Sequence, residues 1–416
     1  MASDTQKLGY SGSHTLAGKR MAVVSFSPFP GDPRPRRAAE AFAEAGMTVD
    51  VICLKQGEAS RKETFKGIKI YRIGIEKTRN SKLGYVFQYC LFILIAFVTL
   101  TLRFPIRRYH IVHVHNMPDV LVFAALVPKL FGAKVILDLH DPMPELMRTI
   151  FNAGKDSRAV RITEVFEKWS IAFADMVLTV NRTCEELFAS RSGGASKISV
   201  VMNTPDEHIF KYSFVNPEAT YVSRADKPFV IMYHGTMVER NGLDLAVEAL
   251  AKVRCSVPGA VLRVYGSRTP YLDSVLHRLP EKGLETAVQY LGPRKLEELV
   301  QAIEECDVGV IPNKRSIFTE INTPTRIFEY LALGKPVVAP RARGIEAYFN
   351  RDSLVLFELG DVDDLATKLS WVAIQPREAL ETTKRGQVIY QQHLWSREKE
   401  KLLELTTALL QRGWGR

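Results

Sequence analysis

With 416 residues, 46% hydrophobic and 25% charged, the chain has ordinary soluble composition and length for two or three domains. Its net charge of +10, from 56 Lys+Arg against 46 Asp+Glu, suits anionic partners such as phosphates or an acidic membrane surface. No nucleic-acid-binding motif accompanies that charge, so nucleic acid is set aside. The five cysteines (Cys53, Cys90, Cys184, Cys255, Cys306) are scattered and odd in number, which argues for a reducing compartment and against zinc or a disulfide frame.

Residues 1–18 are polar and Gly/Ser-rich, without the apolar core of a signal peptide, and read as a loose tail. Arg20–Phe26 reads as a buried strand, Ser27–Arg34 as a Pro/Gly loop, Pro35–Ala45 as a helix and Val49–Leu54 as the next strand. This is the opening of a doubly wound sheet. No GxGxxG follows the first strand, so a dinucleotide is not implied. Gly31, Asp32 and Arg34 sit at the carboxyl end of that strand, where open α/β sheets carry ligands. Arg34 and Arg37 equally suit a solvated helix face.

A strand is expected at Ile68–Ile73. Residues 83–102 then run for 20 residues without a charge, flanked by Lys77, Arg79 and Lys82 before and Arg103, Arg107 and Arg108 after. By length this could just span a bilayer. Strands before and after it look like members of one sheet, however, and one sheet cannot lie on both sides of a membrane. Basic residues at both ends suit a helix or hairpin lying in the inner face of a membrane, held by anionic headgroups. A buried core helix or a dimer interface is the other reading.

Ile111–Val114 is the next strand, running through His115 and Asn116 into a loop. Val135–Asp141 follows, with Pro142–Glu145 as its exit loop, so His140 falls at the ligand edge. A long helix at Ala159–Phe173, a strand at Met176–Val180, a helix capped by Asn181 and a strand at Ile198–Met202 complete a first domain of residues 19–210. Residues 211–227 have no apolar period and read as a linker.

The second domain, 228–394, opens with strand Phe229–His234 and the turn Gly235-Thr236. A helix starting near Gly242 follows, a ready anion site with Arg240 beside it. Strands Val261–Tyr265, Val288–Leu291 and Cys306–Ile311 come next, the first two ending at Gly266 and Gly292. In Asn322–Pro340, Thr323 is expected to cap a helix with Pro324 at its first position, Gly334 to stop it, and Pro336–Ala339 to form a strand. Glu329 lies in that helix, either as a solvated surface carboxylate or as an acceptor for two ribose hydroxyls. Residues 395–416 form an amphipathic helix expected to pack back on the first domain.

Two stretches resemble the family 4 (group 1) glycosyltransferases, retaining enzymes of the GT-B fold in which two Rossmann-like domains face across a cleft. Pro324–Val338 follows that family's Pro-(Ser/Thr)-Lys-x-x-Glu-Tyr-x-x-x-Gly-Lys-Pro-Val-(Val/Ile), with Arg326 in the lysine place. Asp138–Glu145 follows its Asp-x-His-Asp, Pro-x-Glu wording.

The resemblance implies retaining transfer of a sugar from a nucleotide-sugar donor to a hydroxyl acceptor, with neither metal nor cofactor. Glu329 would hold the donor ribose and His140 would face the reacting sugar, as a contact and not a base. The remaining donor-side candidates are Gly235, Thr236, Arg240, Gly266, Gly292, Thr325, Arg326 and Ile327. The acceptor-side candidates are Gly31, Asp32, Arg34, Asp141 and Glu145. The chain departs from the family at Ile321, where many members carry a second glutamate, and at Thr236 and Asn241, where they carry arginine and lysine. A lipid-linked saccharide is the expected acceptor, used at the cytoplasmic face of the plasma membrane in exopolysaccharide or other cell-surface glycan assembly. A sugar-nucleotide 2-epimerase of the same architecture and a non-catalytic partner of a transferase complex are the alternatives.

Overall fold

The structure, a computed structural model, describes residues 16–75, 82–151, 154, 157–218 and 227–411. The chain divides into two compact units. Unit 1 holds the residues up to Val180, Glu185–Val201 and those from Glu398 on; unit 2 holds Asn181–Cys184 and Met202–Arg397.

Unit 1 is built on strands β1 (Arg20–Pro28), β2 (Thr48–Leu54), β3 (Lys62–Phe65), β4 (Ile68–Ile73), β5 (Ile111–His115), β6 (Lys134–Leu139), β7 (Met176–Thr179) and β8 (Ile198–Val200). They form one eight-stranded sheet in the order β3-β4-β2-β1-β5-β6-β7-β8. The β3–β4 pair is antiparallel and the other pairs are parallel. Strands such as Val49–Leu54 and Val135–Leu139 are buried along their length, as apolar runs covered on both faces must be. The sequence reading missed β3. Its Lys-Glu-Thr-Phe carries one apolar residue and sits exposed at the edge.

Helices α1 (Pro33–Glu44), α2 (Lys82–Arg107), α3 (Leu126–Leu130), α4 (Met143–Phe151), α5 (Arg158–Phe173) and α6 (Arg182–Ser192) connect these strands, with a 3-10 turn at Asp119–Ala125. Asp32 caps α1 and accepts from Arg34 N at 3.3 Å. The apolar run expected over 83–102 is one helix, longer at its C-terminal end. It carries the chain from β4 back across the sheet to β5. Both of its ends rejoin one sheet, so it does not span a membrane, although 86–107 is long and apolar enough to do so.

One row of α2, Phe92, Ala96 and Leu100, is fully buried. The row Leu94, Val98, Leu102 and Ile106 is exposed. The expectation that Arg103 and Arg107 serve anionic headgroups needs correction. Asp50, buried on β2, takes Arg103 at 3.2 Å, Arg107 at 2.9 Å and the Tyr109 hydroxyl at 2.7 Å. A buried carboxylate demands such partners. Arg108 remains exposed, and Lys77 and Arg79 lie outside the described residues.

Unit 2 has strands β9 (Val230–His234), β10 (Val261–Tyr265), β11 (Val288–Gly292), β12 (Val308–Val310), β13 (Val337–Arg341) and β14 (Val355–Glu358), all parallel, in the order β11-β10-β9-β12-β13-β14. Its helices are α7 (Leu243–Ser256), α8 (Pro270–His277), α9 (Leu296–Glu305), α10 (Ile317–Ile321), α11 (Thr325–Ala332), α12 (Arg343–Glu346), α13 (Val362–Ile374) and α14 (Pro376–Gln392). The last helix, α15 (Trp395–Gln411), belongs to unit 1 from Glu398 on; it buries Leu402 and Leu409, and Lys399 pairs with Glu44.

Three local expectations come out differently. Pro324, not Thr323, is the N-cap of α11, and the Thr323 hydroxyl donates to Gly344 O at 2.6 Å instead. Unit 2 begins at Met202, because Met202 and Phe210 share a core with Ile327 and Phe328. The start of the expected linker is docked on unit 2: Ser213 N donates to Ala332 O at 2.7 Å and Val215 N to Gln387 Oε1 at 3.1 Å. Residues 219–226 lie outside the described residues. Gly334 ends α11 at φ +68°, and a Cβ there would stand 2.8 Å from Val215, so glycine is required.

Candidate active site

In unit 2 the polar centre lies where β9 ends beside α11. His234, the last residue of β9, is buried. Its Nδ1 stands 2.8 Å from the Tyr330 hydroxyl, and its Nε2 2.6 Å from Glu329 Oε2. The Tyr330 hydroxyl also lies 2.9 Å from Met232 O, an acceptor only. Its single proton therefore goes to that carbonyl, and it accepts from His234 Nδ1–H. The short Nε2–Oε2 contact ties the imidazole to the carboxylate. Glu329 keeps a half-exposed outer side. The arrangement fixes one carboxylate at the carboxyl end of a parallel sheet, with free acceptor capacity.

Beside it, Arg326 Nη1 donates to His234 O at 2.7 Å, and its guanidinium lies 5.2 Å from the Tyr233 ring centroid. The guanidinium carbon is 3.6 Å from where a Cβ on Gly235 would be. The turns Gly235, Gly266 and Gly292 line up through backbone bonds: Gly235 N to Tyr265 O at 3.0 Å and Gly266 N to Gly292 O at 3.1 Å. A Cβ on Gly266 would fall 2.2 Å from Gly235 O, so this close approach of strand ends excludes any side chain. Gly242 is the left-handed cap opening α7.

Thr236 is exposed and its carbonyl accepts from Asn241 Nδ2 at 2.8 Å. Arg240 lies over the Phe318 ring at 5.6 Å. Thr325 is tied on both sides to Asn203, donating to its carbonyl at 3.0 Å and accepting from its amide at 3.1 Å. Ile327 is fully buried and contributes only its backbone.

The polar centre of unit 1 lies at the ends of β5 and β6. Asp138 is buried and receives Arg34 through Nε at 3.0 Å and Nη2 at 2.6 Å. Arg34 Nη1 donates to Val201 O at 2.9 Å. Burial alone would push the Asp138 carboxyl up, but Arg34 and the surrounding imidazoles hold it well below the usual range. His115 Nδ1 stands 3.4 Å from Asp138 Oδ2 and 2.9 Å from His140 Nε2. Burial keeps both rings neutral: His115 is held well below its ordinary value and His140 falls to about 4. A proton on His115 Nδ1 satisfies both neighbours, so His140 accepts at Nε2 and carries its own proton on Nδ1. His140 N donates to Asn116 Oδ1 at 2.8 Å, which fixes the loop just past β6.

His113, His115 and Asp138 place one ligand atom each within 4.8 Å of one another, close enough to hold a metal. Arg34 already supplies positive charge to that carboxylate, whereas both ring nitrogens of His113 and Nε2 of His115 are buried without a hydrogen-bond partner. Of the acceptor-side candidates, Arg34 is therefore committed inside the unit. So is Glu145, buried and paired with Arg191, which also holds Glu167 at 3.1 Å. Gly31 is exposed, Asp32 is the α1 cap, and Asp141 is half-exposed with its carbonyl accepting from Asn116 at 2.9 Å.

The sequence reading missed His234, Tyr330, His113, His115 and Asn116. Signals existed for three of them. His-x-His on a strand puts both rings on one face, and His234 closes a strand at the ligand edge. Nothing in the sequence pairs His234 with Glu329, because 95 residues separate them.

The family described as "Glycosyl transferases group 1" matches residues 228–374, and "Glycosyl transferase 4-like domain" matches residues 32–204. The chain is 23% identical to the glycogen synthase of Mycobacterium tuberculosis over 53% of its length and 50% of that relative's. It is 27% identical to the GDP-mannose-dependent alpha-(1-6)-phosphatidylinositol monomannoside mannosyltransferase of Mycolicibacterium smegmatis, over 50% and 55% respectively. It thus spans about half the length of the curated relatives it matches. Among solved structures, the sucrose-phosphate synthase of Thermosynechococcus elongatus superposes with a TM-score of 0.77 at 18% identity, covering 94% of this chain and 99% of that one. Anabaena HepE in complex with UDP-glucose does so at 0.69 and 18%, with the same coverage. These structures share the fold with this chain, which is GT-B.

Proposed function

The chain belongs to the group 1 glycosyltransferases, and from that membership we propose that it moves a sugar from a nucleotide-sugar donor to a hydroxyl acceptor with retention of configuration. The observation that carries this reading is Glu329, held by His234 at 2.6 Å at the sheet's ligand edge, next to Arg326 and the start of α11. A carboxylate fixed this way accepts two ribose hydroxyls without reorganising. The guanidinium of Arg326 and the first backbone N–H groups of α11 face the charge that develops on a leaving diphosphate. In unit 1, His140 offers a neutral N–H donor, suited to a sugar hydroxyl and not to proton abstraction at neutral pH.

A lipid-linked saccharide suits the acceptor role, in cell-surface glycan assembly at the cytoplasmic face of the plasma membrane. The exposed apolar row of α2 supports a peripheral seat there, and one relative's name carries a phosphatidylinositol mannoside.

A panel of nucleotides and nucleotide sugars tested by thermal shift decides the donor. One nucleotide at about 100 times its Kd is expected to stabilise the protein by roughly 2.7 kcal/mol, and Glu329→Ala to lose that shift. If no nucleotide stabilises the wild type, the reading fails.

A further inference from the structure

The apolar surface of unit 1 does not stop at α2. Among the described residues, every large exposed apolar side chain of this unit lies on α2, on α3 or the residue after it, on α4, or on α5. Topology places these helices together. The crossovers β4→β5, β5→β6 and β6→β7 all run in one direction along the sheet, opposite to β1→β2. With right-handed connections, α2, α3, α4 and α5 therefore cover one face and α1 the other. Contacts agree: α2 and α5 both pack on the turn Asp119–Ala125, and α4 packs on α5. Phe104 of α2 meets Phe131, ring centroids 5.9 Å apart, and Phe123 meets Phe173 of α5 at 5.1 Å.

On α5 the residues Ile162, Phe166 and Trp169 are exposed, Trp169 by 57%. Arg158, Arg161 and Lys168 are exposed on the same helix. Leu130 and Phe131, 69% and 73% exposed, extend the surface from α3. The acids of these helices do not balance this charge. Glu145 and Glu167 are buried under Arg191, and Glu164 alone is left, half-buried.

We propose that α5, together with α3, is a second membrane-contact surface coplanar with α2, so that unit 1 lies on an anionic bilayer through several helices and not through one. Apolar side chains rimmed by Arg and Lys, with an exposed Trp, are what an interfacial helix presents to headgroups and acyl chains. Charge selects this occupant over a second copy of the chain. A two-fold contact would press the cationic rim of α5 against itself, like charge on like. The proposal deepens the peripheral seat proposed above and rests on it.

The test is co-sedimentation of the full chain with vesicles of neutral phosphatidylcholine alone or mixed with anionic phosphatidylglycerol. Three proteins are compared: wild type, an α5 variant (Ile162→Ser, Phe166→Ser, Trp169→Ser) and an α2 variant (Leu94→Ser, Leu102→Ser). All substitutions are at exposed positions, and melting temperature and nucleotide-induced stabilisation report whether each variant is folded. Wild type is expected to bind the anionic vesicles and the α5 variant to bind about tenfold or more weakly. A fourth protein carrying Arg158→Gln and Lys168→Gln is expected to bind about fivefold more weakly per charge removed.

An α5 variant that binds like wild type overturns this proposal, and loss in the α2 variant alone then leaves the single-helix seat standing. A wild type that binds no vesicle overturns both membrane statements, while nucleotide stabilisation judges the transferase reading separately. A stable wild-type dimer in light scattering that the α5 variant converts to monomer assigns the surface to a second copy and likewise overturns it.

Discussion

Each unit holds one carboxylate and a histidine in direct or relayed contact, yet the two centres are built inside out relative to one another. In unit 1 the carboxylate is the buried member. Asp138 spends its charge on Arg34, and the half-exposed group is the neutral ring of His140. In unit 2 the histidine is the buried member. His234 stands beneath Glu329, whose outer side stays open. The same residue types thus present a neutral N–H donor in one unit and a carboxylate in the other. Which member is covered separates the residue that holds the site from the residue that meets a ligand.

The largest effect expected from this difference is on stability. Asp138→Ala leaves the Arg34 guanidinium buried and unpaired, which costs about 3–5 kcal/mol and lowers the melting temperature of unit 1 on the order of 10 °C. Glu329→Ala leaves His234 Nε2 without its partner, which is expected to cost about 1–3 kcal/mol, less than Asp138→Ala, while abolishing nucleotide stabilisation. Calorimetry of the two variants checks both halves. Equal melting shifts would break the distinction between holding and presenting carboxylates.

A smaller effect is expected from the buried partner in unit 2. His234→Phe keeps the Tyr330 bond to Met232 but frees the Glu329 carboxylate to swing. Loss of a charge-assisted bond of this kind weakens nucleotide binding by about tenfold. Inorganic pyrophosphate does not use the ribose acceptor, and its affinity is expected to stay put. Titration of both ligands on wild type and variant separates the cases. A parallel loss for nucleotide and pyrophosphate would mean that His234 supports the whole loop and does not position Glu329.

Much of this architecture is written locally in the chain. The strands of both sheets are short apolar runs closed by Gly, Pro or polar residues, and Ile68–Ile73 and Val261–Tyr265 can be bounded from sequence to the residue. Glu329 and His140 are legible as ligand-edge residues because they sit at fixed places in worded motifs. What stays hidden depends on distant pairing. Arg34 looks like a loop arginine until Asp138, 104 residues away, is seen to hold it. Arg103 and Arg107 look like headgroup anchors until Asp50 is seen beneath them. The membrane-like segment is conspicuous because it is apolar all round. Helix α5 escapes notice because its apolar face alternates with charge in the ordinary amphipathic way, and only the structure shows that its Ile162, Phe166 and Trp169 are left exposed among the described residues.

The finest contrast between the units is in their response to pH. Burial pushes the Glu167 carboxyl up to about 8, against the pull of Arg191, and the Asp119 carboxyl up to about 7. Both belong to unit 1. In the unfolded chain such groups titrate near pH 4, so between those limits the folded form binds more protons. The stability they contribute is fully present below the ordinary carboxylate range and is lost as pH rises through 7 to 8. His140 works the other way. Its folded value of about 4 lies below the ordinary 6.5, so its contribution is present above 6.5 and is lost as pH falls toward 4. Unit 1 is therefore expected to be most stable in mild acid and to lose stability on raising the pH from about 6 to 8.5. Glu167→Gln removes one of the two titrating carboxyls and leaves Arg191 its pairing with Glu145. Scanning calorimetry across that range should show the unit 1 transition drifting downward in the wild type and less steeply in E167Q. A wild-type transition that is flat over the range would mean that Arg191 neutralises both carboxylates at once and that unit 1 carries no stored proton.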